Sequence, residues 1–341
     1  MNCIQGCMMN AEELLEKYAG GDRKFKNVNL RGLDFKGADL SGIDLQGADL
    51  AGCNLNQVNL SKAHLNSANL SRVSLIEANL SEIQAYNTNF TLAELDSADL
   101  SKAEMSSANL KNANLDNANL SDAQLNSTVF NKTSLFKANL VGAKLNSTNF
   151  IQVNLAETDL TQADLNSTSF KNTNLQNCKL RGADLKKCDL SGVNLAGSDL
   201  VGVYLNEANL RKACLQNANL QGADLQNTNL TKANLNNANL KKADLTNANI
   251  YGATFENADL TGAIMPDGEI YQAQMESYQS ESSQVESMTR KVIQTDNAPA
   301  PVGPYNQAVM ASGQMLFVAG QIAIDPRAGN VVYTDDVTKQ T

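Results

Sequence analysis

Residues 131–170, NKTSL FKANL VGAKL NSTNF IQVNL AETDL TQADL NSTSF, decide the fold. Every fifth residue of this stretch is Leu or Phe, and two places before each stands Thr, Ala or Val. Worked outward, the period of five holds without a slip from Phe25 to Met265. All forty-nine of these positions are apolar, thirty-eight of them Leu, and only Ala85 is small. The column two places earlier, Val28 to Ala263, is mostly Ala, with Val, Thr, Cys, Ser, Ile and one Leu among the rest. Neither column holds a charge, so both are candidate core. A period of five matches neither the 3.6 of a helix nor the 2 of an ordinary strand. Two inward residues separated by one outward residue fit a short extended segment, and the remaining places, rich in Asn, Asp, Gly and Ser, supply a turn. Each pentad reads as one side of a coil with a corner built in.

A second period sets the number of sides. Phe90, Phe130, Phe150 and Phe170 stand at multiples of twenty in near-copies, YNTNF, NSTVF, NSTNF and NSTSF, each with Thr two places before the Phe (Thr88, Thr128, Thr148, Thr168). Four pentads per coil stack these residues into an aromatic ladder with a Thr ladder beside it; three per coil would scatter them. The uninterrupted run of units such as ADLSG, ANLSK and ANLNN over residues 25–265 resembles the pentapeptide-repeat family. That resemblance implies an all-β fold, a right-handed quadrilateral β-helix. About twelve coils at strand spacing make a rod about 58 Å long.

Residues 10–24 are expected to cap the first coil. Asn10 with Glu13 has the capping-box pattern, Leu14, Leu15 and Tyr18 form an apolar stripe, and Gly20-Gly21 ends the helix. Residues 1–9 read as a leader, of which 1–8 lie upstream of the helical pattern. The repeat domain is expected over 25–270, closed by a turn at Pro266-Asp267-Gly268; that ending resembles cyanobacterial pentapeptide proteins. Polar, aperiodic residues 271–287 read as a flexible linker.

From Met288 the character changes, with short strands expected at 292–293, 307–310 and 315–319 between Pro- and Gly-rich turns. GPYNQA and VAGQIAIDP resemble the opening of the reactive-intermediate deaminases of the YjgF/UK114 group, which hydrolyse enamines and imines. The resemblance implies a small, incomplete α+β fragment over 288–341. Tyr305 and Gly320 match positions lining that family's pocket, and Ala319 stands where many members have Ser. The family's carboxylate-binding Arg and its acidic residue fall in a second half beyond Thr341, so no deaminase activity is expected of this segment unless the domain is completed or complemented.

Composition narrows the chemistry. Aromatics make up 5%, there is no Trp and one His, and the net charge is −9. His64 occupies an outward slot with no second His to share a metal. Cys53, Cys178 and Cys188 stand in the small inward column as fillers, Cys214 faces out, and Cys3 and Cys7 lie in the leader, without zinc-type spacing. Asn126, Asn146 and Asn166 match glycosylation triplets but sit at corners. No metal, cofactor or catalytic residue is expected. Without a membrane-length apolar run or a signal-like leader, the expected compartment is cytoplasmic.

Some pentapeptide-repeat proteins imitate DNA and bind gyrase, the alternative reading. Residues 25–265 hold 20 Lys plus Arg against 23 Asp plus Glu. The net of −3 is an order of magnitude below duplex DNA, which carries about one negative charge per 1.7 Å. The acidic balance also disfavours nucleic acid as a ligand. The expected function is therefore non-enzymatic docking of a protein partner on the faces of a rigid rod. Specificity would be written in the two positions after each Leu, for example Lys186, Lys187, Arg211, Lys212, Lys241 and Lys242. The family resemblance adds homodimerisation through a solenoid end.

Overall fold

The computed structural model describes residues 9–170 and 173–271, and the backbone of 291–292, 309–311 and 314–316. Its two units are Met1–Gln274 and Met275–Thr341.

The first unit is a β-helical solenoid. Every fifth residue from Lys24 to Asp244 forms a parallel β-bridge with the residue 20 places on, so one coil is four pentads. The same inter-coil bonds recur in each pentad. Leu30 N–H donates to Asp49 O at 2.8 Å, Gly32 N–H to Ala51 O at 3.0 Å, and Asp49 N–H to Val28 O at 2.9 Å. Between bridges the chain turns through two residues, closed by bonds such as Leu33 N–H to Leu30 O at 3.2 Å. Positive φ at the second of those residues gives the turn its type II character.

The two inward columns fill the interior. Leu55 to Leu245 are buried throughout, with Ala, Val, Cys and Thr between them. Polar members of the small column donate to a carbonyl, most often the one 23 residues earlier; Thr148 and Thr228 donate instead three residues back, to Leu145 O at 2.7 Å and Leu225 O at 2.6 Å. Thr88 Oγ1 donates to Leu65 O at 2.7 Å, Thr168 Oγ1 to Leu145 O at 3.1 Å and Ser198 Oγ to Leu175 O at 2.9 Å. A hydroxyl can therefore replace a methyl there without stranding a buried donor. Phe130, Phe150 and Phe170 stack, with ring centroids 5.0 and 5.4 Å apart. Phe90 is equally buried, but Leu110 occupies the rung between it and Phe130, so it stands outside that stack.

The first coil is covered by α1, Ala11–Ala19. The Asn10 side chain accepts from Glu13 N–H at 2.8 Å, and Gly21, with φ +99°, ends the helix. Leu14 is buried in the core, and Tyr18 donates to Ser41 O at 2.8 Å. Lys24, placed in the cap by its sequence, is already the first residue of the ladder. At the other end Met265 N–H donates to Glu269 O at 2.7 Å across the Pro266–Gly268 turn, and Tyr271 N–H donates to Ala263 O at 2.7 Å. Tyr271 thus belongs to the solenoid and not to the linker. This end leaves Ile250, Phe255 and Met265 only partly buried, beside the exposed Tyr251 and Ile270.

In the second unit, β1 (Lys291–Val292), β2 (Val309–Ala311) and β3 (Gln314–Leu316) form an antiparallel sheet in the order β1-β2-β3. Tyr305 and Gly320, and the rest of the expected linker, lie outside the described residues.

Candidate interaction surface

With the interior filled by two columns, the outward chemistry is confined to three positions per pentad: the bridge residue and the two turn residues. The bridge residue is most often Asn or Asp, and its carboxamide or carboxylate oxygen accepts the N–H two residues on. Asp34 Oδ1 accepts from Lys36 N–H at 2.9 Å and Asn89 Oδ1 from Thr91 N–H at 3.1 Å. Asn side chains also bond along the stack, as in Asn69 to Asp49 at 2.9 Å and Asn89 to Asn69 at 3.0 Å. These residues are committed to the corners and ladders; some turn residues also bond between coils, as Asn56 Oδ1 accepting from Ile76 N–H at 2.9 Å, and the turns carry the variable chemistry.

Sequence reasoning missed one property of those turns. The second turn residue is left-handed whatever its side chain: Lys62 has φ 59°, Glu77 56°, Ser107 61° and Leu92 61°. Only Gly enters that region freely, and other residues pay about 1–2 kcal/mol. The inter-coil bonds to each turn hold the conformation regardless, so no local signal marks it.

The candidate lysines divide by partner. Lys186 lies 3.6 Å from Asp184 and over the Tyr204 ring, Lys187 3.9 Å from Glu207, and Lys241 3.0 Å from Asp259. Arg211, Lys212 and Lys242 make no ion pair among the described residues. His64 is exposed in the bridge column, between Asp44 and Gln84. Among the described residues no group of three or more His, Cys, Asp or Glu side chains is placed to hold a metal, and no helix is long and apolar enough to cross a membrane.

The buried thiols repeat the Thr geometry. Cys53 donates to Leu30 O at 2.9 Å, Cys178 to Leu155 O at 2.7 Å and Cys188 to Leu165 O at 3.0 Å. Burial pushes Cys178 and Cys188 from 9.0 up to about 12. A raised thiol stabilises the fold fully below about pH 9, where the unfolded thiol also stays protonated, and that contribution is lost as pH rises through 12. In a Cys3→Ser/Cys7→Ser background, Cys214 should react with a disulfide reagent at pH 8.5, whereas Cys53, Cys178 and Cys188 should react only after denaturation. A Cys178→Ala/Cys188→Ala variant should lose less melting temperature between pH 9 and 11. Rapid native labelling of either buried thiol would contradict this packing.

A solenoid of five-residue turns around Leu and small-residue columns defines the class, and the chain belongs to the pentapeptide-repeat family. The Pentapeptide repeats model matches in successive, mostly overlapping stretches from residues 24–61 through 223–262. HetL, a pentapeptide repeat protein involved in heterocyst differentiation regulation in the cyanobacterium Nostoc sp. strain PCC 7120, is 35% identical. The likeness covers 77% of this chain and 100% of HetL, with a TM-score of 0.27. Residues 295–341 match a second family, Endoribonuclease L-PSP. The chain is also 57% identical over 53 residues to the RutC family protein slr0709 of Synechocystis, covering 16% of this chain and 40% of that protein. It is 46% identical over 46 residues to the 2-iminobutanoate/2-iminopropanoate deaminase of Mus musculus, covering 14% and 33%. The chain thus spans two fifths or less of these curated relatives.

Proposed function

We propose that the solenoid is a non-enzymatic docking scaffold for a protein partner, read through the turn residues of its sides. The observation that carries this is the division of labour within the pentad. Inward columns are filled, bridge residues are tied up in corners and ladders, and variable side chains project at fixed intervals from a rigid backbone. Such a surface is pre-organised, so little ordering entropy opposes binding. The partly covered apolar edge at Ile250, Phe255 and Met265 favours a homodimer through that end.

Site-specific photo-cross-linking tests both ideas. A photoreactive residue is placed at a turn position on each side of the solenoid and at Tyr251, in the full chain, and the protein is irradiated in a lysate of its source. Cross-links to the same protein from one side only, with Tyr251 joining two copies, are expected. Uniform labelling from all sides, or none above background, would remove the docking reading. The second reading, imine hydrolysis, attaches to residues 295–341 through the likeness to the mouse enzyme. Ammonia release from 2-iminopropanoate by the full chain decides between them, and docking predicts none above the uncatalysed rate.

A further inference from the structure

Sorting the outward residues by side reveals a segregation of charge. On the side built from the pentads that begin at Arg31, Ala51, Ser71 and every twentieth residue on, Arg31, Arg72, Lys111, Lys132, Arg211 and Lys212 project from the turns, followed by Lys232. No described turn position of this side is acidic; Asp34 and Glu94, in its bridge column, are its acids. The next side in chain order is predominantly acidic, with Asp39, Glu77, Asp96, Asp99 and Asp116 against Lys36 in its first coils.

On the other sides cations commonly find an acid one coil away, as Lys62 does with Glu82, Lys137 with Glu157 and Arg181 with Asp199. On the basic side only Arg31 is paired, with Asp49 at 3.0 Å. Its other cations make no ion pair among the described residues. Coils stack at about 4.8 Å, so charges two coils apart lie within about a Debye length and repel. An unpaired row of like charge on a protein of net charge −9 asks for a partner.

A groove of about 540 Å³ opens on the same side, lined by Arg31, Ala51, Gly52, Ser71, Arg72 and Leu92, with Asn89 and Thr91. Ala51 and Gly52 make its low floor between the two arginines, and a Cβ at Gly52 would meet nothing within 4 Å. Leu92 forms its far wall. It is 42% exposed and left-handed at φ 61°, and it is the one large apolar residue at any second turn position of the repeats. Nothing in the packing of the coil calls for it.

We propose that this basic side binds an acidic polypeptide segment, extended along the solenoid axis and anchored in the groove between Arg31 and Arg72. A carboxylate there gains bidentate bonds from the unpaired Arg72 and shares the Arg31 guanidinium with Asp49, and an apolar neighbour covers Leu92. Alternate side chains of an extended chain recur about every 6.8 Å, between the spacings of about 4.8 and 9.6 Å of cations one and two coils apart, a difference that flexible Glu, Lys and Arg side chains span. A nucleic-acid duplex is wider than one pentad and would overlie the adjoining acidic side; a single extended peptide would not. This proposal rests on the docking reading and names the chemistry of the partner.

The test is fluorescence anisotropy of the full chain with a short labelled peptide alternating Glu and Ser around one Leu, beside its Lys counterpart and a labelled DNA duplex. Salt-sensitive binding of the acidic peptide alone is expected. Arg72→Glu should weaken it about tenfold and Arg72→Glu/Lys132→Glu further, while Lys102→Glu, on another side, leaves it unchanged. Equal weakening by Lys102→Glu, tighter binding of DNA, or no peptide binding would overturn the proposal. Partner cross-linking confined to a different side would do so while leaving the docking reading intact.

Discussion

Removing residues 191–210 as a block should leave a folded protein, whereas removing Asn206 alone should unfold the coils that follow it. Each coil touches only its neighbours, through bonds whose partners differ by fixed sequence offsets. Asp189 bridges Asn209, which bridges Asn229. Excision of twenty residues brings Asp189 opposite Asn229, restores every downstream bond, and shortens the stack by one coil spacing, about 4.8 Å. Loss of one residue shifts everything beyond it by one slot. Asn209 then takes the small inward position of Ala208, Arg211 the position of Leu210, and Asp224 that of Ala223, all three slots being buried. An unpaired buried charge costs several kcal/mol, and the error recurs in each later coil. The turn cannot absorb the slip locally, because its closing bond, Ala208 N–H to Leu205 O at 2.9 Å, spans the deleted residue. Amide hydrogen exchange reads the outcome. The block deletion should keep protection throughout, and the single deletion should lose it from about residue 190 onward. Protection of Leu220–Leu245 after loss of Asn206 would refute the fixed register.

That register was legible because two columns without a charge repeat over the whole solenoid, and because Phe and Thr recur together at twenty. The Pro266–Gly268 turn was legible for the same local reason, a Pro and a Gly at a break in the pattern. The same period of twenty places Leu110 between Phe90 and Phe130, so the break in the ring stack was legible too. Two features were not. Left-handed Lys, Glu and Leu residues carry no local mark, since the stacked coils impose their conformation. The charge pattern was hidden by summation. Consecutive pentads face different sides, so a basic side and an acidic side cancel almost completely when residues 25–265 are added together. Charge along the chain and charge on a side are different quantities in a solenoid, and only the second bears on a partner.

Phe150→Ala should be among the most destabilising single substitutions in the solenoid, and its damage should stay local. The Phe150 side chain is fully buried between the Phe130 and Phe170 rings, at interplanar angles of 27° and 16°. Truncating a buried Phe costs about 3–5 kcal/mol, and each lost ring pair adds about 0.5–1.5 kcal/mol. Phe90→Ala opens a similar cavity but faces Leu70 and Leu110, so it forfeits no stacked ring and should cost less by about 1–3 kcal/mol. Phe150→Leu restores the residue that fills most of the column elsewhere and should cost under about 1.5 kcal/mol. Because coupling passes only between adjacent coils, hydrogen exchange in Phe150→Ala should rise over residues 130–170 and stay unchanged before Leu100. Equal costs for the Phe90 and Phe150 truncations would mean that ring stacking contributes nothing beyond volume. Faster exchange reaching the first coils would mean that the solenoid unfolds as one cooperative body and not coil by coil.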